Sequence, residues 1–476
     1  MLNYIRTVIT AATLLPSILV ASTSINYRLS LDNLLKEAEH QVQIGIQVTD
    51  LTNGQTVYEK NAARTYTPAS NQKIITAAAG LWYLGPDYRF KTRLYRTLGD
   101  IHDGQFAGNI VIKFAGDPLL TIPDLSQLIQ ALAKQEGISH IHGDLIIDQS
   151  LYGEQNFGPG WTLDDIQHCF SAPIRANILN QNCIKLGVAP GNTVNSPITI
   201  LPNHTNDYIS LINHATTQAQ KTAGCYLQLK TTSHNHYTLE GCLPLKAKPQ
   251  AFSVAIEDPT AFDRAVITRL LAQHHITLKG QIKTEVINNR LKLIAEHQSA
   301  PLIHYIQDML KKSDNLISDS LFKKLGLLYF KGQGSWTKGA KAVKSILRDQ
   351  ANITTFSGMI ADGSGLSRYN LTSPEQLVHL LEKIYRSPPL ASIFIDALPI
   401  SGIDGTLKYR MNTSETRGKV KAKTGTMANV TALSGFIYTK SQKVLAFSIM
   451  MNGIVGSTIP YRFLADQICE FLVENY

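Results

Sequence analysis

The sequence predicts a mixed α/β (α+β) fold in which a central antiparallel sheet, flanked by helices, is split by a large strand-rich insertion. Three observations lead there. Strand patterns stand at both ends of the chain, over 44–48 and 56–59 and again over 420–426, 430–436 and 444–449. An alanine-rich helical run opens at Pro68, directly after the first hairpin. Ser70 and Ser313, which carry related motifs, lie 243 residues apart, and the stretch between them holds strand patterns of its own. A chain of 476 residues can bury more than one core. The expected layout is a leader over 1–22, one split domain over 23–90 and 289–476, and an inserted region over 91–288 made of two small strand-rich domains.

In chain order, Arg6 precedes a 13-residue apolar run, 8–20, and the small residues Ala21, Ser22, Thr23 and Ser24. That run is short for a bilayer span and reads as a signal peptide, so the mature chain is expected to be exported, with no stable membrane span. Asn53-Gly54 is a strong turn pair between the first two strands. Pro68 suits a helix start and Gly80 a helix end. Within the insertion, 108–115 and 142–148 read as strands around a helix near 124–135, and an amphipathic helix over 260–273 closes it on Phe262, Val266, Leu270 and Leu271. Helices over 302–310 and 316–325 flank a turn at Ser313-Asp314-Asn315. The last helix, 461–474, is expected to lay Phe463, Leu464, Ile468, Phe471 and Leu472 on the sheet.

Charge and composition exclude several classes. The formal net charge is +9, or +8 once Arg6 is removed with the leader, and the basic residues are scattered, with no long run and little aromatic interleaving. A nucleic-acid groove is therefore not expected, whereas attraction to an anionic polymer such as cell wall is. The cysteines at 169, 183, 225, 242 and 469 include no C-x-x-C; in an oxidising compartment the pairs near in sequence, Cys169–Cys183 and Cys225–Cys242, are expected to bond, leaving Cys469 as a buried thiol. His140 with His142, and His234 with His236, lack an evident third ligand, so neither metal nor cofactor is expected.

The chemistry rests on Ser70 and Lys73. Residues three apart on a helix share a face, about 4.5 Å apart along the axis, so the amine can reach the hydroxyl. A serine needs a base, and a lysine serves only if it is kept neutral. Bringing a lysine from about 10.4 to near 7 takes about 4.6 kcal/mol, within reach of burial beside a second cation. S-x-x-K occurs three times, however: at Ser70/Lys73, at Ser320/Lys323 in an expected solvated helix, and at Ser335/Lys338 in an expected loop. Two further patterns single out the first. Ser313-Asp314-Asn315 and Lys423-Thr424-Gly425 each occur once and follow it in order. Gly425 would let a substrate backbone lie along its strand and add to the sheet.

With these motifs the sequence resembles the penicillin-recognising serine transpeptidase/β-lactamase superfamily, and most of all the class C low-molecular-mass penicillin-binding proteins, the D-alanyl-D-alanine carboxypeptidase/endopeptidase group. Four further stretches carry the likeness, beginning at Ala115-Gly116-Asp117-Pro118, Cys169-Phe170-Ser171, Asp362-Gly363-Ser364-Gly365 and Gly405-Thr406-Leu407. The resemblance implies a nucleophile, Ser70; a base, Lys73; a proton relay, Ser313; an amide, Asn315, that holds substrate and orients Lys73; and Lys423 as the permanent cation. It places the oxyanion hole on the Ser70 and Thr426 amides and the terminal carboxylate on Thr424 and Thr426. It further implies that Arg368 meets a carboxylate on the diamino acid of a peptide stem, that Asp165 meets its free amine, and that Phe170 lines that pocket. The activity implied is periplasmic cleavage of D-Ala-D-Ala ends and peptide cross-links of peptidoglycan through an acyl-enzyme, with β-lactams as inhibitors and a homodimer left open. A β-lactamase and a catalytically silent cell-wall-binding protein are the alternatives; the first lacks an evident deacylating acid.

Overall fold

Strands from the two ends of the chain build one sheet. In the computed structural model, Gln43–Asp50 lies between Thr56–Lys60 and Val444–Asn452, and Val430–Tyr438 and Val420–Met427 extend the sheet, every pair antiparallel. The structure describes residues 29–201, 208–232, 235–287, 290–354, 356, 358–388 and 390–476; the expected leader lies outside them. The middle strands are buried almost end to end, because helices cover both faces and leave no solvent side for alternation.

On one face packs the C-terminal helix, Ile459–Asn475, through Ala465, Ile468, Cys469, Leu472 and Val473. Phe463, expected on this face, is instead 63% exposed. The small side chains Ala465 and Cys469, four apart, set the contact line and turn Phe463 away from it. On the other face lies the larger core, centred on Gln72–Leu84, whose residues 72–81 are all buried. This helix is preceded by a 3₁₀ turn, Ala69–Asn71, and runs past Gly80 to Leu84, ending where Gly85 takes a positive φ. Gly80 is thus an interior residue rather than the expected end, and a Cβ there would sit 2.9 Å from Leu321 Cδ2 of the neighbouring helix.

That neighbour, Asn315–Phe330, is buried along residues 316–327, so Ser320 and Lys323 lie in the core and not on the expected solvated face. Ser335 is likewise no loop residue: it caps Trp336–Ala351, accepting from the Lys338 amide.

The intervening chain builds a second layer. A five-stranded sheet runs in the order Ile282–Thr284, Leu145–Asp148, Ile110–Lys113, Lys91–Thr97 and Leu291–Gln298. The last of these strands lies past residue 288 and pairs with Lys91–Thr97, so this sheet itself carries the chain in and out. Helices Ile122–Lys134 and Pro259–Gln273 share a core with it through Leu125, Ile129, Leu132, Phe262, Val266 and Leu270. Two smaller sheets lie over 183–255, and Ile184, Tyr237 and Val254 from them join the same core. Both expected disulfides are formed, Cys169–Cys183 and Cys225–Cys242, and Cys469 is a buried free thiol. His140 Nδ1 lies 3.0 Å from Ser139 Oγ and His142 Nε2 2.8 Å from Gln105 Oε1; His234 lies outside the described residues.

Candidate active site

Three elements converge on one point: the Ser70 turn, the start of Asn315–Phe330, and the strand Val420–Met427. Ala69, with φ +46°, occupies the left-handed region, a strained conformation for alanine that swings the chain from Pro68 into the turn. Lys73, wholly buried, then places Nζ 3.0 Å from Ser70 Oγ. The same Nζ donates to Asn315 Oδ1 at 2.6 Å and to the Ser364 carbonyl at 2.7 Å. Asn315 is oriented from its other end, where Nδ2 donates to the Phe170 carbonyl at 2.8 Å.

Asp314 accepts from the Ile317 amide and so caps the helix that Asn315 opens. Ser313 precedes it at φ +61° and faces the strand, where Lys423 Nζ donates to Ser313 Oγ at 2.9 Å and to the Thr424 carbonyl at 2.7 Å. The S-D-N sequence therefore both caps a helix and faces the site. Thr424 Oγ1 donates to Thr406 Oγ1 at 2.8 Å, and Thr426 is exposed. Gly425 also has a packing role that the sequence did not suggest. A Cβ on it would meet the Pro68 carbonyl at 2.7 Å and the Ser70 nitrogen at 3.2 Å, so its bareness admits the Ser70 turn itself.

Burial governs the charge of both lysines. Desolvation lowers Lys73 to about 8, and the carboxyls of Asp319, Asp362 and Asp314 pull in the opposite direction. Lys423 is pushed well below the ordinary lysine range, first by burial and then by repulsion from Lys73. Lys423, expected as the cation of the pair, is thus drawn toward its neutral form as Lys73 is, and the causes acting on it include no carboxyl where those on Lys73 include three.

Of the outlying residues, Phe170 is linked to this centre by its backbone carbonyl, which accepts from Asn315. Arg368 Nη1 donates to the Ala428 carbonyl at 2.8 Å, just past the end of the Lys423 strand, with its side chain part-exposed. Asp165 accepts from Thr162 Oγ1 at 2.7 Å and is half-buried. Phe170 is 46% exposed and stacks on His168 with ring centroids 5.1 Å apart. Sequence reading missed Asp319 and the Ser364 carbonyl. Asp319 stands four residues after Asn315, hence on the same helix face, and that spacing was the available signal.

A family model described as the D-Ala-D-Ala carboxypeptidase 3 (S13) family matches residues 27–472. A D-alanyl-D-alanine carboxypeptidase DacB of Haemophilus influenzae is 32% identical over 437 residues, covering 89% of this chain and 88% of that protein. A D-alanyl-D-alanine carboxypeptidase of an Actinomadura species is 29% identical over 426 residues, 87% of this chain and 78% of that one. Among solved structures, penicillin binding protein 4 of Haemophilus influenzae superposes with a TM-score of 0.84 at 30% identity, over 92% of this chain and 97% of that one. The same protein complexed with a β-lactam gives 0.80 at 28% identity, over 94% and 99%.

Proposed function

The chain belongs to the D-Ala-D-Ala carboxypeptidase 3 (S13) family, and from that membership we propose how its cleft performs serine-type cleavage of D-Ala-D-Ala ends. It is a class C low-molecular-mass penicillin-binding protein with DD-carboxypeptidase activity. Cleavage of peptide cross-links and acylation by penicillins extend the same chemistry to other acyl donors. The supporting observation is the 3.0 Å approach of Lys73 Nζ to Ser70 Oγ, with the other two contacts of Nζ taken by Asn315 Oδ1 and the Ser364 carbonyl.

A neutral amine has two hydrogens and one lone pair. With the hydrogens given to Asn315 and Ser364, the lone pair faces the Ser70 hydroxyl and takes its proton as Oγ attacks the carbonyl carbon. The oxyanion falls to the amides of Ser70 and Thr426. A substrate carboxylate arriving at Thr424, Thr426 and Lys423 favours the charged form of Lys423, and the new cation favours the neutral form of Lys73. Ser313, hydrogen-bonded to Lys423, returns a proton to the leaving amine. Water then releases the acyl-enzyme. Arg368, Asp165 and Phe170 contribute recognition of the stem's diamino acid, Arg368 by a planar fork suited to a carboxylate. The site of action is the periplasm, reached by means of the leader; no helix of the described residues is long and apolar enough to cross a membrane.

A fluorescent penicillin tests this. The expected result is a stable covalent label that Ser70→Ala abolishes, together with release of D-alanine from defined muropeptides. Rapid turnover of the probe would make the protein a β-lactamase, and an unlabelled wild-type chain would remove the enzymatic reading.

A further inference from the structure

The Ser364 carbonyl is one of two acceptors that fix the Lys73 amine, and its own placement has a visible cause. Asp319 is wholly buried, and its Oδ1 accepts from the Gly363 amide at 2.8 Å and from the Ser364 amide at 3.0 Å. The Gly363 carbonyl is pinned from two helices, by Thr76 Oγ1 and by Ser318 Oγ, each at 2.7 Å. Asp362 fixes the next turn, accepting from the amides of Gly365 and Ser367, from Asn370 Nδ2 and from Trp161 Nε1. Two residues of loop, Gly363 and Ser364, are thus tied to the helix that carries Lys73 and to the helix that carries Asn315.

Resting on the assignment of Lys73 as base, we propose that Asp319 is a positioning residue for acylation: by gripping the Gly363 and Ser364 amides it aims the Ser364 carbonyl at Lys73 Nζ and so turns the amine's lone pair onto Ser70. The aiming needs only the two accepted bonds, and the pull that the Asp319 carboxyl exerts on the Lys73 proton is separate from it. Asp319 Oδ2 is buried with no hydrogen-bond partner, so those two bonds are what the side chain gives the loop. Burial, and then the neighbouring Asp362, raise its pKa well above the ordinary carboxyl range. The charged or titrating groups facing Lys73 are Asp319 and Asp314 from one helix segment, Asp362 from the loop and Lys423 from the strand.

The test compares Asp319→Asn, Asp319→Ala and the double variant Thr76→Val/Ser318→Ala in the full chain, reading the second-order rate of penicillin acylation against pH, with thermal unfolding as a check on folding. The amide of Asp319→Asn reproduces the two accepted bonds, so its plateau rate is expected within about twofold of wild type, while its acid limb moves to lower pH as Lys73 loses the pull of that carboxyl. Asp319→Ala frees the Ser364 carbonyl. Its plateau rate is expected to fall at least tenfold, and its acid limb to move to lower pH, because an ammonium that loses a carbonyl acceptor gives up its proton more readily. The double variant is expected to slow acylation in the same direction while keeping Asp319. An Asp319→Asn plateau at least tenfold below wild type would mean that the charge and not the grip is used, and would overturn the proposal. So would a wild-type acylation rate in either Asp319→Ala or the double variant, and the latter decides the matter if Asp319→Ala does not fold. A wild-type chain that no penicillin labels refutes the enzymatic assignment itself, a result distinct from any of these.

Discussion

Lys73 Nζ has three acceptors within 3.0 Å, a full set for an ammonium and one more than a neutral amine can serve as donor. Deprotonation therefore frees one direction, and the two stronger acceptors leave it pointing at Ser70. Because the amine titrates at about 8, its neutral fraction should rise about tenfold per pH unit below that value and level off above it. Penicillin acylation of wild type, followed from pH 6 to 10, is expected to trace that curve. Lys73→Ala should lower the plateau by about 10²–10⁴-fold, the usual range for a lost general base. At the rim of the site, Arg368→Lys keeps the charge and loses the fork. It should weaken cleavage of diamino-acid stems by about tenfold, or about 1.4 kcal/mol, while leaving penicillin acylation nearly unchanged, as parallel assays on muropeptide and penicillin will read.

At the scale of elements, the site depends on how closely the Asp362–Arg368 loop approaches the Ser70 turn. Gly365 has φ +85°, and a Cβ there would lie 1.8 Å from the Ala69 carbonyl, with backbone on both sides and no flexible side chain to yield. Gly365→Ala is expected to destabilise the protein by at least about 3 kcal/mol in denaturant titration and to slow acylation with it. The three short motifs were legible because their residue types and order are tied to a reaction. The Ser70 helix was legible in place but not in length, since Gly80 serves packing on Leu321 and only resembles a stop. Lys323 and Lys324 were not legible, and Asp319 only through its spacing from Asn315. Polar residues on a helix ordinarily mark its wet side, and Asn315–Phe330 has none, being enclosed by helices and by the inserted region.

For the molecule as a whole, that enclosed helix is the joint between the two layers. Lys323 Nζ donates to the carbonyls of Gln155 and Ile174, and Lys324 Nζ to that of Ala115, so two adjacent lysines hold the inserted region by its backbone. Lys323 also lies 4.6 Å from the Trp336 ring centroid. Burial lowers Lys323 to about 7 and Lys324 to about 8. For Lys323, the folded value lies below the unfolded value of 10.5, so between the two the unfolded chain binds more protons and stability rises with pH. Lys323→Met removes that dependence. The stability of wild type relative to Lys323→Met should therefore increase from pH 7 to pH 10, as denaturant titration at each pH will show.

The paired ends of the chain have a further consequence. Strand Gln43–Asp50 finds a neighbour on one side in Thr56–Lys60, but on the other only in Val444–Asn452, which leaves the ribosome nearly four hundred residues later. Lys423 arrives almost as late. A nascent or truncated polypeptide thus carries Ser70 and Lys73 for most of synthesis without the strand that flanks Gln43–Asp50 or the lysine that meets Ser313.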